Sequence, residues 1–142
     1  MESQPKLRVN DWVGVLGRYI AENSSGKFAY GVRDCCLFSA GAVKALTGVD
    51  VMADVHYSNA RGAVREIRRF GGVDEAVRSV MSKAGFEEVH PLTAHRGDVV
   101  VADIPKPAAG IVSTDGWYAI FITPTGIGRV PLSHCRLAWR VG

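Results

Sequence analysis

The tripeptide Asp34-Cys35-Cys36 contains the residue types in this sequence that are best suited to covalent chemistry. It follows a turn that contains Gly31, and it opens a run of small apolar residues that predicts a helix ending at Gly48. If Asp34 is the N-cap, Cys35 lies in the first turn, where unpaired N–H groups and the helix dipole stabilise a thiolate. The alternative is a pair of small thiols packed in the core, which the local sequence alone favours.

A nucleophilic thiol also needs a base within hydrogen-bond reach, usually a histidine that a third polar group orients. The sequence has four histidines, all distant from the cysteine pair along the chain: His56, His90, His95 and His134. Each one falls in a predicted loop or turn, where an exposed histidine is the ordinary interpretation. If one of them serves as a base, we expect His56 or His134.

Helices are predicted in the first half of the chain and short strands in the second half. Apolar residues recur at helical spacing over about residues 10–23, 34–48, 59–70 and 74–85. Asn10 or Asp11 is the predicted N-cap of the first helix and Asp74 that of the fourth. Strand-like runs bounded by Gly or Pro cover residues 97–103, 110–113, 117–123, 128–132 and 136–141. The predicted class is α+β, with N-terminal helices packed on a small antiparallel sheet formed by the C-terminal half.

The composition is that of a globular protein, and we expect residues 1–142 to form one domain. Apolar residues make up 47% of the chain and charged residues 22%. The net charge of +3 is too small to indicate a nucleic-acid partner. The N-terminus has no signal-like apolar run and no segment is long enough to span a membrane, so we expect synthesis in the cytoplasm and no membrane span.

Metal and cofactor sites are not expected. The three cysteines include two neighbours, whose disulfide would be strained, and we interpret all three as reduced thiols. The sequence has no C-x-x-C pair and no histidine cluster with the spacing of a structural zinc site.

Four arginines fall on one side of the third predicted helix: Arg61, Arg65, Arg68 and Arg69. The simpler interpretation is a solvated helix face. The alternative is a patch for an anionic partner, such as an acidic protein surface, peptidoglycan carboxylates or DNA.

The segment "FAYGVRDCCLFSAGAV" (28–43) resembles the nucleophile segment of the NlpC-type cell-wall cysteine peptidases, which belong to the papain-like superfamily. Cys35 occupies the nucleophile position, and "RGDVVVAD" (96–103) resembles the strand that follows in that family. The chain from about Trp12 to Val141 is closer still to a small phage and prophage family of the same clan. The matching pieces are "DC" with Phe38, "LTG", "RG" at 61–62, "GDVVV", "AAGI" and "LAWRV".

The resemblance also implies that the catalytic base is missing. In the peptidases a histidine opens the strand after the Gly-Asp strand, in a His-Val-Gly-Ile-like context. The corresponding stretch here is "PKPAAGIVS" (105–113), where Gly110 and Ile111 align and the histidine position falls on Ala108. The orienting group would lie near "FITPTG" (121–126), which contains no His, Asn or Gln.

The resemblance therefore implies a structural or adaptor component of a phage tail tip or baseplate, located in the virion tail. Its expected partners are other tail or baseplate proteins, such as the hub. The alternative is an active thiol peptidase or amidase that cleaves peptidoglycan peptides, with Cys35 as nucleophile and an unconventional histidine as base. A third possibility is a chaperone that acts in tail assembly and leaves. The sequence gives no role for Cys36 or Cys135, and it does not identify the host or the copy number.

Overall fold

The computed structural model describes residues 7–25 and 27–142. Four helices come first in the chain: α1 (Trp12–Asn23), α2 (Cys35–Thr47), α3 (Ala60–Phe70) and α4 (Val73–Lys83). Six strands follow: β1 (Glu88–Val89), β2 (Val99–Asp103), β3 (Pro107–Val112), β4 (Tyr118–Thr123), β5 (Gly126–Pro131) and β6 (Cys135–Trp139). Short 3₁₀ turns lie at Pro91–Thr93 and Leu132–His134. This order confirms the predicted α+β class.

All six strands form one antiparallel sheet in the order β1-β6-β2-β3-β4-β5. Strands β2 to β5 form the meander that the turns at 113–116 and 123–126 predict. The last strand, β6, returns to pair with β2 on one side and with β1 on the other. The two-residue strand β1 was missed because its pairing with β6 depends on residues about fifty positions away, and two residues carry no periodic signal.

The caps of α2 are those that the sequence predicts, whereas the predicted cap of α4 is wrong. The Asp34 carboxylate accepts a hydrogen bond from the Leu37 amide, and Gly48 closes the helix at a φ of 80°. Helix α4 instead begins at Val73, with Gly72 as its N-cap. Asp74 therefore lies in the first turn, where the helix dipole also favours a carboxylate, and it binds Arg136.

Both faces of the sheet are buried. One face packs on α1, α2 and α4 and carries the larger side chains; its strand members include Val99, Val101, Ile111, Ile120 and Trp139. The other face carries mostly small residues, among them Val100, Ala102, Ala108, Val112, Ala119, Phe121 and Ala138. Trp139 is buried at 1% exposure. Trp117, which begins the predicted strand 117–123, instead precedes β4 and is 76% exposed.

Close approach of β3 and β4 explains the glycine at position 110. A Cβ at Gly110 would lie 2.5 Å from the Ile120 carbonyl oxygen and 2.6 Å from the Phe121 ring. The carbonyl oxygen belongs to the backbone of the sheet, so it cannot move aside as a flexible side chain would. The glycine therefore fixes the spacing of the two strands beside the part of β3 that contacts the cysteines.

Candidate functional site

A tight turn delivers Asp34 and Cys35 to the start of α2. Ala29 and Arg33 form an isolated antiparallel bridge, with backbone hydrogen bonds of 2.9 Å and 2.7 Å between them. Gly31 occupies the turn at a φ of 82°, a conformation that favours glycine. A Cβ there would also lie 2.6 Å from the Ser58 Cα atom. The turn is thus seated against the loop that precedes α3.

The Asp34 carboxylate is buried and fully engaged in hydrogen bonds. One oxygen accepts from the Leu37 amide at 2.9 Å. The other accepts from the Gly31 amide at 3.0 Å and from the Tyr57 hydroxyl at 2.8 Å. Asp34 thereby joins the turn, the helix and the loop before α3. Three of its acceptor sites therefore serve structural hydrogen bonds rather than the neighbouring thiol.

Cys35 is the first residue of α2 and is half-buried against the small-residue face of the sheet. The neighbouring Cys36 thiol and the backbone amide of Ala109 lower the pKa of Cys35, although burial and the negative charge of Asp34 act in the opposite direction. The position at a helix N-terminus also favours the thiolate. The site therefore supplies a more acidic thiol than an ordinary cysteine.

The other two cysteines are poor nucleophiles at neutral pH. Cys36 contacts the apolar space between α2, α3 and α4, and its proximity to Cys35 together with burial raises its pKa well above the ordinary value. Cys135 begins β6, and burial raises its pKa to about 11. Of the three thiols, Cys35 alone combines partial exposure with a lowered pKa.

No histidine hydrogen-bonds to Cys35 in the described part of the chain. All four histidines are exposed. His90 accepts a hydrogen bond from the Leu92 amide. His56 and His134, which the sequence favours as a recruited base, form no hydrogen bond with a cysteine among the described residues.

Ala108 lies in the buried cluster against which Cys35 packs. Its side chain is 8% exposed, and it directly precedes Ala109, whose amide acts on the Cys35 thiol. A residue at position 108 is therefore a neighbour of the thiol. The group that occupies this position is a methyl, which cannot accept a proton.

Two tyrosines near the thiols were missed by the sequence reasoning. Burial is the main cause that raises the pKa of Tyr30 and of Tyr57, and negative charge at the cysteines and at Asp34 adds to it. Both phenols thus stay protonated around the thiols. Tyr57 is separated from Asp34 by 23 positions, so no local pattern indicates their contact.

The described residues contain no group of three or more His, Cys, Asp or Glu side chains that could hold a metal ion. Among the helices of the described ranges, none is long and apolar enough to cross a membrane.

In residues 7–25 and 27–142, these features define a class of protein: four helices on an antiparallel sheet, with an acidic thiol at a helix N-terminus that hydrogen-bonds to no histidine. Residues 7–141 match the family described as a domain of unknown function, DUF6950. The match covers nearly the whole chain, and the protein belongs to this family. No curated protein and no solved structure matches the chain.

Iodoacetamide is expected to modify Cys35 before Cys36 and Cys135 at neutral pH, because the thiolate is the reactive form. A lowered pKa gives Cys35 more thiolate at neutral pH, so its rate should reach half-maximum at a lower pH than the rates of Cys36 and Cys135. Peptide-resolved mass spectrometry of the native protein across pH measures this order, with Cys35→Ser as the control. Earlier modification of Cys135 would contradict it.

Proposed function

We propose that the protein is a structural or adaptor component of a bacteriophage tail tip or baseplate, built on a catalytically degenerate NlpC-like fold. The observation that carries the proposal is that Cys35, at the start of α2, packs on the buried cluster that contains Ala108, whose side chain is a methyl group. A cysteine peptidase needs an imidazole at such a position to take and return the proton.

The arrangement of elements supports the NlpC-like part of the proposal. The cysteine opens a helix that packs on β3 and β4 of an antiparallel sheet. The "GDVVV" segment leads into β2, and the "GI" dipeptide lies inside β3. Their order along the chain is the one that the resemblance to the peptidases implies.

The missing base has a large energetic consequence. Proton transfer by a positioned side chain contributes about 10²–10⁴-fold to rate, and activation of a nucleophile depends on it. A fold can persist after its catalytic group is lost, because a scaffold and the chemistry performed on it are separable. The three hydrogen bonds of Asp34 need no catalytic explanation, because they stabilise the turn, the start of α2 and the loop before α3.

The second candidate is an active thiol peptidase or amidase that acts on peptidoglycan peptides during tail penetration. The lowered pKa of Cys35 favours it, since a thiolate is the first requirement of such an enzyme. The absence of a histidine hydrogen-bonded to Cys35 among the described residues opposes it.

The proposal is tested with particles of a phage that encodes this chain. We expect the protein to remain in the tail fraction after density-gradient purification, as measured by quantitative mass spectrometry. A Cys35→Ala phage should assemble and infect like the parent, because the thiol has no catalytic task. Absence of the protein from purified particles would instead indicate an assembly chaperone. Normal Cys35→Ala particles with a defect in wall penetration would indicate the peptidase.

A further inference from the structure

Helix α3 presents three guanidinium groups on one side, and none of them has a carboxylate partner in the described part of the chain. Arg61, Arg65 and Arg68, here called the α3 arginine face, are exposed and spaced by four and three residues, which places them on one side of the helix. Within residues 7–25 and 27–142, none of the three forms an ion pair. Arg69, which the sequence groups with them, is instead paired with Glu66 at 2.7 Å.

Three of the four basic residues on helices α1, α2 and α4 have acidic partners, and Lys44 on α2 is the exception within the described residues. Arg18 on α1 pairs with Asp11, Arg78 on α4 with Glu75 and Glu88, and Lys83 on α4 with Asp54. Like charges at helical spacing destabilise a helix. Three neighbouring arginines that have no acidic partner among residues 7–25 and 27–142 therefore repel one another, and a bound anionic partner would offset this repulsion.

An apolar spot lies at the centre of the α3 arginine face. Val64 is 45% exposed, and together with Ala60 and the three arginines it lines a shallow depression. The opposite side of the helix is turned inward, with Gly62 and Ala63 buried. An apolar centre with arginines around it is the composition of a protein–protein contact, where arginine is enriched.

We propose that the α3 arginine face docks an acidic, amphipathic segment of a protein partner. The segment places an apolar side chain over Val64 and its carboxylates against the guanidinium groups, whose planar fork matches a carboxylate. A nucleic acid fits less well, because it is bound through an extended basic track, whereas this face is part of one helix of 11 residues with an apolar centre. This inference rests on the proposed adaptor role, and it adds the chemistry of the partner that the adaptor would bind.

The test is a fluorescence-anisotropy titration with a labelled synthetic helix that carries leucines on one side and glutamates elsewhere. The triple variant Arg61→Glu/Arg65→Glu/Arg68→Glu should weaken binding by at least about ten-fold. The matched control Lys27→Glu/Lys44→Glu/Lys106→Glu makes the same change in net charge at exposed positions elsewhere, and should change binding by less than about two-fold. Val64→Ser should weaken binding too, and circular dichroism checks that each variant is folded.

Equal weakening by the two triple variants would overturn the proposal, because binding would then follow net charge alone. Absence of peptide binding to the native protein would also overturn it. Tighter binding of a labelled single-stranded DNA, lost in the arginine variant and retained in Val64→Ser, would assign the face to nucleic acid instead. None of these results depends on whether the protein is found in tail particles, so failure of this inference is distinguishable from failure of the proposed function.

Discussion

Replacing Arg8 with alanine is expected to lower the free energy of unfolding by about 3 to 5 kcal/mol. Arg8 forms an ion pair with Asp98 at 2.9 Å, and the Asp98 side chain is completely buried. The guanidinium also donates to the carbonyl oxygens of Val141 and Arg96. Without Arg8, the buried carboxylate keeps the amides of His95 and Val141 but has no compensating charge.

Chemical denaturation followed by tryptophan fluorescence measures this loss. The matched control is Arg69→Ala, which breaks the exposed pair with Glu66 and should cost no more than about 1 kcal/mol. A loss in Arg8→Ala no larger than in Arg69→Ala would show that the Arg8 pair does not hold the N-terminal segment to the end of β6. Asp98 is the aspartate of the "GDVVV" segment, so the same measurement tests whether that aspartate has a structural role.

Replacing Asp34 with alanine is expected to destabilise the fold by about 3 kcal/mol, the sum of a lost helix cap and of two other donors deprived of their acceptor. The three donors are the amides of Leu37 and Gly31 and the hydroxyl of Tyr57. The turn and the first helical residue should lose their fixed positions, so Cys35 should become more accessible. The same denaturation measurement applies, and hydrogen exchange of the Leu37 amide reports the cap directly.

Asp34→Asn is the informative control. Asparagine caps a helix as well as aspartate does, but it has one oxygen where the carboxylate has two. The loss of stability should therefore be smaller than in the alanine variant. Because the charge of Asp34 raises the pKa of Cys35, its removal should shift the alkylation profile of Cys35 to lower pH. An unchanged stability in Asp34→Ala would contradict the assigned role of the carboxylate.

The predictable parts of this fold are those in which local chemistry decides the outcome. Asp34 and Gly48 are correctly predicted as the two caps of α2, because an N-cap side chain and a left-handed C-terminal glycine act within a few residues. The meander from β2 to β5 follows from short turns between β-rich runs. At α4 the predicted N-cap, Asp74, lies two residues after the observed N-cap, Gly72. Asp74 instead pairs with Arg136 across 62 positions.

The contacts that could not be predicted join distant parts of the chain. Arg8 reaches Asp98 across 90 positions, and Tyr57 reaches Asp34 from a loop without any periodic signal. The sequence does predict which thiol lies in the first turn of a helix, since the N-terminus of a helix is a local feature. The correspondence of Ala108 to the histidine position of the peptidases comes from a family resemblance rather than from the residues, and it stays a prediction.

The measurement that tests the central claim most directly is the hydrolysis of purified muropeptides by the native protein and by Cys35→Ala, followed by mass spectrometry of the products. The account predicts that the native protein releases no more product than the variant, because no histidine among the described residues hydrogen-bonds to the Cys35 thiol. Cleavage by the native protein that disappears in Cys35→Ala would contradict the account and assign the protein to the active peptidases.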